Sequence, residues 1–231
     1  MRRVKIMAIS ADPNYVTIAS RVAQLQQGLS GHLPDDVRNA FGAEQAGLDA
    51  NGAPAGIAVP GDAMPDAQLL DVYGAPIKFS EAVDGSGAVV VLYRGAWCPY
   101  CNLTLRAYQE DLLPYLAERD IPLVAISPQK PDGSMSTQEK NELTFTVLSD
   151  PGNQVAAALG VLTAPTDDAR AAQRTLGVDL PANNADGTYG VPMPTVVIVD
   201  SGGIIRWIDV HPNYTTRTEV ADILDAVTVL G

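Results

Sequence analysis

At 231 residues, with 46% hydrophobic and 18% charged side chains, the chain is long enough to bury a substantial core without disulfide staples, as one large domain or two small ones. Its 15 Lys and Arg against 27 Asp and Glu leave a formal charge of −12, which offers no basic surface to nucleic acid and repels an anionic membrane. Small molecules and protein disulfides remain as partners, and the composition excludes a solenoid or a low-complexity chain.

The first residues, Met1 to Ser10, carry Arg2, Arg3 and Lys5 before an apolar stretch too short for a signal peptide, which stops at Asp12 and Pro13. No uncharged apolar span of about 20 residues follows anywhere. The expectation is a cytoplasmic protein. From Asn14 to about Gln27, Ile18, Val22 and Leu25 recur at helical steps. A second helix is expected after Pro34, at a first helical position, running through Val37, Phe41 and Leu48. These helices form an N-terminal appendage, and the Gly- and Pro-containing stretch 51–66 connects it to the rest. The domain division expected is 1–57 for appendage and linker and 58–231 for the main domain.

Beyond the connector, strand-like runs at Ala88 to Tyr93, Leu123 to Ser127, Thr146 to Leu148, Thr195 to Asp200 and Ile204 to Val210 alternate with helical periodicity. That pattern predicts an α/β sheet flanked by helices. The helix after the first strand carries Leu105, Tyr108, Leu112, Tyr115 and Leu116 on one face, with a kink expected at Pro114. Asp150-Pro151-Gly152 reads as a turn with a helix start behind it. Ser201-Gly202-Gly203 predicts an antiparallel hairpin, so the sheet is mixed. Thr216 and Glu219 read as a capping box before Val220, Ile223, Leu224, Val227 and Leu230.

The chemistry is concentrated in Trp97-Cys98-Pro99-Tyr100-Cys101, directly after a strand and the turn Arg94-Gly95-Ala96. Cys98 is expected at an exposed helix N-terminus, where unpaired N–H groups and the helix dipole lower its pKa from about 8.5 and favour the thiolate. The spacing of three brings Cys101 within one helical turn, able to attack a mixed disulfide on Cys98. Arg94 is expected to stabilise the thiolate, and Trp97 and Tyr100 either to shape the cysteine pocket or to fill core. A zinc site wants four ligands; His32 and His211 lie far apart and read as ordinary surface residues, so no metal is expected.

These stretches resemble a thioredoxin-fold protein, and more closely the peroxiredoxin-like branch of the alkyl hydroperoxide reductase and thiol-specific antioxidant superfamily. The resemblance rests on Pro60-Gly-Asp-Ala-Met-Pro-Asp66, Tyr93-Arg-Gly-Ala-Trp-Cys-Pro-Tyr-Cys-Asn102, Ala125-Ile-Ser-Pro-Gln129, Phe145-Thr-Val-Leu-Ser-Asp150 and Pro192-Met-Pro-Thr195, and covers roughly residues 58 to 229. It implies a mixed central sheet of thioredoxin type flanked by helices. It also implies a cis Pro194 facing the cysteines, with Met193 and Pro194 presenting backbone groups to a bound disulfide or peroxide. Two family positions differ: Gly95 stands where a Thr is usual, and Val91 where a Pro is. No Arg occurs between Val191 and Pro194, which leaves Arg94 and backbone amides at the helix start to receive charge on a leaving oxygen.

The activity implied is thiol-dependent peroxide reduction: Cys98 becomes a sulfenic acid, Cys101 condenses with it, and a thioredoxin-like or low-molecular-weight thiol reduces the disulfide. No bound cofactor is needed, and a homodimer is the arrangement the family suggests. Two rivals stay open at the level of sequence. One is a thiol-disulfide oxidoreductase acting on protein or small disulfides through the same cysteines, which the missing Thr favours; the other is a redox-sensing interaction protein.

Overall fold

The computed structural model describes residues 15–230, so the readings of Met1 to Ser10 and of Asn14 lie outside the described residues. A seven-stranded mixed sheet organises the chain. Its strands are β1 Gln68–Leu70, β2 Pro76–Lys78, β3 Ala88–Leu92, β4 Leu123–Ser127, β5 Thr146–Ser149, β8 Thr195–Val199 and β9 Ile205–Val210, in the order β2-β1-β5-β4-β3-β8-β9. A separate pair, β6 Leu162–Thr163 and β7 Val191–Pro192, is antiparallel. β3, β4 and β5 run parallel, while β8 and β9 form the expected hairpin antiparallel to β3.

β3 is buried on both faces, and its alternation divides the core. Val89 and Val91 point into one layer with Leu105, Tyr108, Leu112 and Ile223; Val90 and Leu92 point into the other with Phe79, Val155 and Leu159. Continuing from Val91, Tyr93 falls on the first layer, and so do both cysteines. The site therefore grows out of the helical face that β3 shares with its following helix.

The helices are α1 Ile18–Ser30, α2 Asp35–Asn51, α3 Phe79–Ala82, α4 Pro99–Ala107, α5 Leu113–Ala117, α6 Pro131–Lys140, α7 Gln154–Ala158, α8 Asp167–Thr175, α9 Leu180–Asn183 and α10 Val220–Ala226. Between α4 and α5 a single π-helical turn, Tyr108–Leu112, stands just ahead of Pro114. The wider turn absorbs the disruption that the ring and missing N–H of Pro114 impose, and Leu105, Leu112 and Leu116 still reach the core. Asp150 caps the start of α7, accepting N–H bonds from Gln154 and Val155, each at 2.9 Å.

Two expectations change here. Thr216 and Glu219 do not form a capping box: Thr216 donates its hydroxyl to the Asn213 carbonyl, and Glu219 is turned away to α1. Its carboxylate accepts the N–H groups of Ile18 and Ala19 at 2.9 and 2.8 Å, so an acid from the far end of the chain sits at the positive end of α1. The connector is not a free linker, since Ala58, Gly61 and Met64 donate N–H bonds to Leu159, Ile205 and Gly203. α2 packs along α8, and Glu44 on α2 accepts from the Tyr214 hydroxyl at 2.8 Å and the Thr166 N–H at 2.9 Å. Among the described residues, no helix is long and apolar enough to cross a membrane.

Candidate active site

Cys98 occupies the N-cap of α4 and Pro99 its first turn, where the missing N–H of Pro costs nothing. The loop before it is held by one side chain in particular. Gln129, following β4, accepts the Ala96 N–H at 2.8 Å and donates to the Tyr93 hydroxyl and Thr137 hydroxyl, both at 2.9 Å. Asn102 on α4 closes the loop by donating to the Ala96 carbonyl at 2.8 Å. Gly95 has φ of 145°, and a Cβ there would lie 2.5 Å from the Trp97 indole nitrogen. The loop path itself excludes a Thr at this position.

Both cysteines are free thiols and each is only 1% exposed. The expected exposed helix tip is thus corrected. α1 and α2 with the Tyr214 segment form a cover over Cys98, leaving a pocket of about 140 Å3 that has Cys98 among its lining residues. Cys101 lines a separate, smaller space with Pro194, Thr195 and Arg217.

The charge distribution is corrected too. Cys98 makes no side-chain cap bond to the helix N–H groups, so its position alone does not secure a thiolate. Burial pushes both thiols up. At Cys101 that rise is overcome by the Cys98 S–H, by Arg217, and by Arg94 through its backbone N–H and its charge, which bring Cys101 down to about 5. Cys98 is pushed up, first by burial and then by its hydrogen bond to Cys101 and the charge beside it, with Arg94 and Arg217 opposing. The two thiols share one buried site, and the groups that favour a thiolate converge on Cys101.

Arg94 is 5% exposed and sandwiched, its guanidinium carbon 4.0 Å from the Tyr214 ring centre and 4.9 Å from that of Trp97. Tyr100 stands 6.3 Å from Tyr214, ring to ring. Trp97, Pro99 and Tyr100 all line the Cys98 pocket with Arg94. Met193 does not. It belongs to the opposite core layer, though Pro194 lies beside Cys101.

No peptide bond among the described residues is cis, so the Met193–Pro194 bond is trans. The chain runs extended from β7 into β8, and its polar groups are used: Met193 N–H to Val161, Met193 carbonyl from the Thr195 hydroxyl, and Pro194 carbonyl from the His211 N–H. Each of these groups already has a partner within the fold. His211 is half-buried and paired with Asp209 at 2.9 Å rather than an ordinary surface residue, and His32 bonds the Gly28 carbonyl of its own helix end. No three His, Cys, Asp or Glu converge among the described residues.

Three residues at the site escaped the sequence reading. Gln129 sets the loop, Tyr214 packs on Arg94, and Arg217 places Nη2 3.5 Å from the Cys101 sulfur. Arg217 is itself held by the carbonyls of Tyr214 and Thr216. Nothing local marks them.

A strand, a pinned loop and a dithiol opening the next helix, on a mixed sheet of this order, define a protein of thioredoxin-like fold. The family model of AhpC/TSA matches residues 60–208, and the chain belongs to that family. A Mycobacterium tuberculosis protein bearing a peroxiredoxin name, Rv2521, is 30% identical over 101 residues, 44% of this chain and 63% of its own length. The chain therefore aligns with less than two thirds of that relative. Peroxidoxin BcpB from Mycobacterium tuberculosis superposes with a TM-score of 0.57 at 19% identity, covering 74% of this chain and 97% of that one. Reduced Prx3 from Vibrio vulnificus, solved with hydrogen peroxide, superposes at 0.60 with 16% identity, over 74% and 99%. The matched family segment begins after α2.

Proposed function

We propose that the protein is a thiol-dependent peroxidase in which Cys98 attacks a hydroperoxide and Cys101 resolves the product. The observation that carries this is Cys98 among the lining residues of a pocket, with Cys101 one turn further along α4 and the Arg217 guanidinium 3.5 Å from the Cys101 sulfur. Cys98 passes its proton to Cys101, and the Cys98 sulfur attacks the terminal peroxide oxygen. An S–O bond forms, the O–O bond breaks, and the leaving alkoxide takes the proton from Cys101, giving the alcohol and returning Cys101 to its thiolate. Cys101, as thiolate, then attacks the Cys98 sulfenic acid; hydroxide leaves and the disulfide forms. Arg94 and Arg217 hold charge near the two sulfurs, while Trp97, Pro99 and Tyr100 shape the pocket. A dithiol, thioredoxin-like or of low molecular weight, restores the pair, in a cytoplasmic setting and with a homodimer as the assembly the family suggests. Within the 1–57 appendage, α1 and α2 serve as a cover on the 58–231 domain.

The test is peroxide consumption with a dithiol reductant. The wild type consumes peroxide over many turnovers, Cys101→Ser reacts through Cys98 and stalls, and Cys98→Ser falls to background. Wild-type consumption by Cys98→Ser would refute the assignment. Gly95 at the usual Thr position favours one second reading, a thiol-disulfide oxidoreductase. A protein that reduces small or protein disulfides and leaves every hydroperoxide untouched would establish it.

A further inference from the structure

One side of the pocket over Cys98 is built from parts of the chain that the AhpC/TSA match does not span. Leu29 at the end of α1, Leu33 in the α1–α2 link and Phe41 on α2 form one side, and all three precede the matched residues 60–208. Leu176 and Val178, directly after α8, form another, with Trp97 beside the sulfur. The walls are mostly apolar, and the charged group among the lining residues, Arg94, is fixed between two aromatic rings. The hydrogen bonds of Glu44 to Tyr214 and Thr166, and of Glu219 to the start of α1, hold this cover in place.

Size then bounds the part of an occupant that these walls can enclose. An apolar cavity of roughly 150 Å3 lined by aliphatic and aromatic side chains stays dry and takes up benzene. The pocket here measures about 140 Å3. Hydrogen peroxide gains nothing from such walls, being small and strongly hydrated, whereas a ring or compact branched alkyl group is desolvated on entering. With Cys98 in the pocket wall, a molecule seated there by its apolar end can present a hydroperoxide to the sulfur.

Building on the peroxidase role of Cys98, we propose that the N-terminal helices create a specificity pocket for hydroperoxides carrying one apolar group of about benzene size. The substrate class is a compact aryl or branched-alkyl hydroperoxide, and Leu33 and Phe41 set the size limit from outside the family's common segment.

Cumene hydroperoxide, with one phenyl ring, and hydrogen peroxide are the probes. For the wild type, kcat/KM for cumene hydroperoxide exceeds that for hydrogen peroxide by about tenfold or more, the range a hydrophobic pocket delivers. Leu33→Trp, which fills the pocket from a half-buried link, lowers that ratio about tenfold, and Phe41→Leu changes it in the same direction by less. Equal or better use of hydrogen peroxide by the wild type, with consumption still dependent on Cys98, would overturn the pocket and leave the peroxidase intact. A second measurement needs no turnover: calorimetric titration of the reduced protein with cumyl alcohol. Saturable binding that Leu33→Trp weakens supports the pocket, and absence of saturable binding overturns it. No consumption of either peroxide overturns the peroxidase, with the titration still deciding what the pocket holds.

Discussion

Arg217 shows how much one side chain decides. Its guanidinium 3.5 Å from the Cys101 sulfur, joined by the backbone N–H and charge of Arg94, favours negative charge on Cys101 over the buried Cys98 that lines the pocket. Cys98 is then a thiol at rest, and its activation is a proton passed between neighbours. Ultraviolet thiolate absorbance against pH should show one sulfur ionising near the value of about 5 that Cys101 reaches. The second should ionise only far into alkali, because burial and the first charge hold Cys98 up. Arg217→Met should raise the first apparent pKa by about one unit or more. Peroxide consumption should decline as pH falls through about 5, where the shared thiolate is protonated. An unchanged titration in Arg217→Met would mean that the Arg94 contacts and the Cys98 S–H suffice.

Among the elements, α2 is the one whose attachment controls access. Its Glu44 is 7% exposed and satisfies two donors from other segments, the Tyr214 hydroxyl and the Thr166 N–H. Glu44→Ala leaves both buried groups unpaired, at a cost of about 1 to 3 kcal/mol read by denaturant unfolding. The same change loosens the cover, so alkylation of Cys98 by a small reagent should accelerate several-fold at fixed pH. Accelerated alkylation without lost stability would assign Glu44 to gating alone, and lost stability without acceleration to packing alone. The two helices of the cover were legible as helices because Ile18, Val22 and Val37 repeat at helical steps and are buried. Their docking was not legible: Glu44 meets Tyr214 170 positions away in the chain, and Glu219 meets Ile18 201 positions away.

For the molecule as a whole, pH dependence of stability depends in part on Asp150, which is buried between β5 and α7 while capping α7. Burial raises its carboxyl to about 6, outweighing the N–H bonds it accepts from the helix start. A carboxyl raised in the folded state binds its proton more tightly there than in the unfolded chain. Its contribution is therefore full below the unfolded value of 3.8 and is lost as pH rises through about 6. Relative to Asp150→Asn, the wild type should lose stability between about pH 4 and about pH 7, by an amount of order a few kcal/mol. Parallel pH profiles for the two proteins would show that Asp150 titrates normally. The Asp150-Pro151-Gly152 turn itself was plain from the residues, since each suits a turn on local grounds.

The amino-acid sequence determined the five longer strands of the main sheet, the hairpin, the dithiol and its seat at the start of α4, because short apolar runs, Gly pairs and a three-residue cysteine spacing act over a few bonds. The three-residue strands β1 and β2 stayed hidden, with Leu69 their one buried side chain. Tertiary structure alone decided that Cys98 is roofed, that Arg217 reaches Cys101, that the Met193–Pro194 bond is trans and that Glu219 caps another helix. Each of these joins groups distant in sequence or depends on which neighbours claim a polar atom, and a linear pattern carries no record of either.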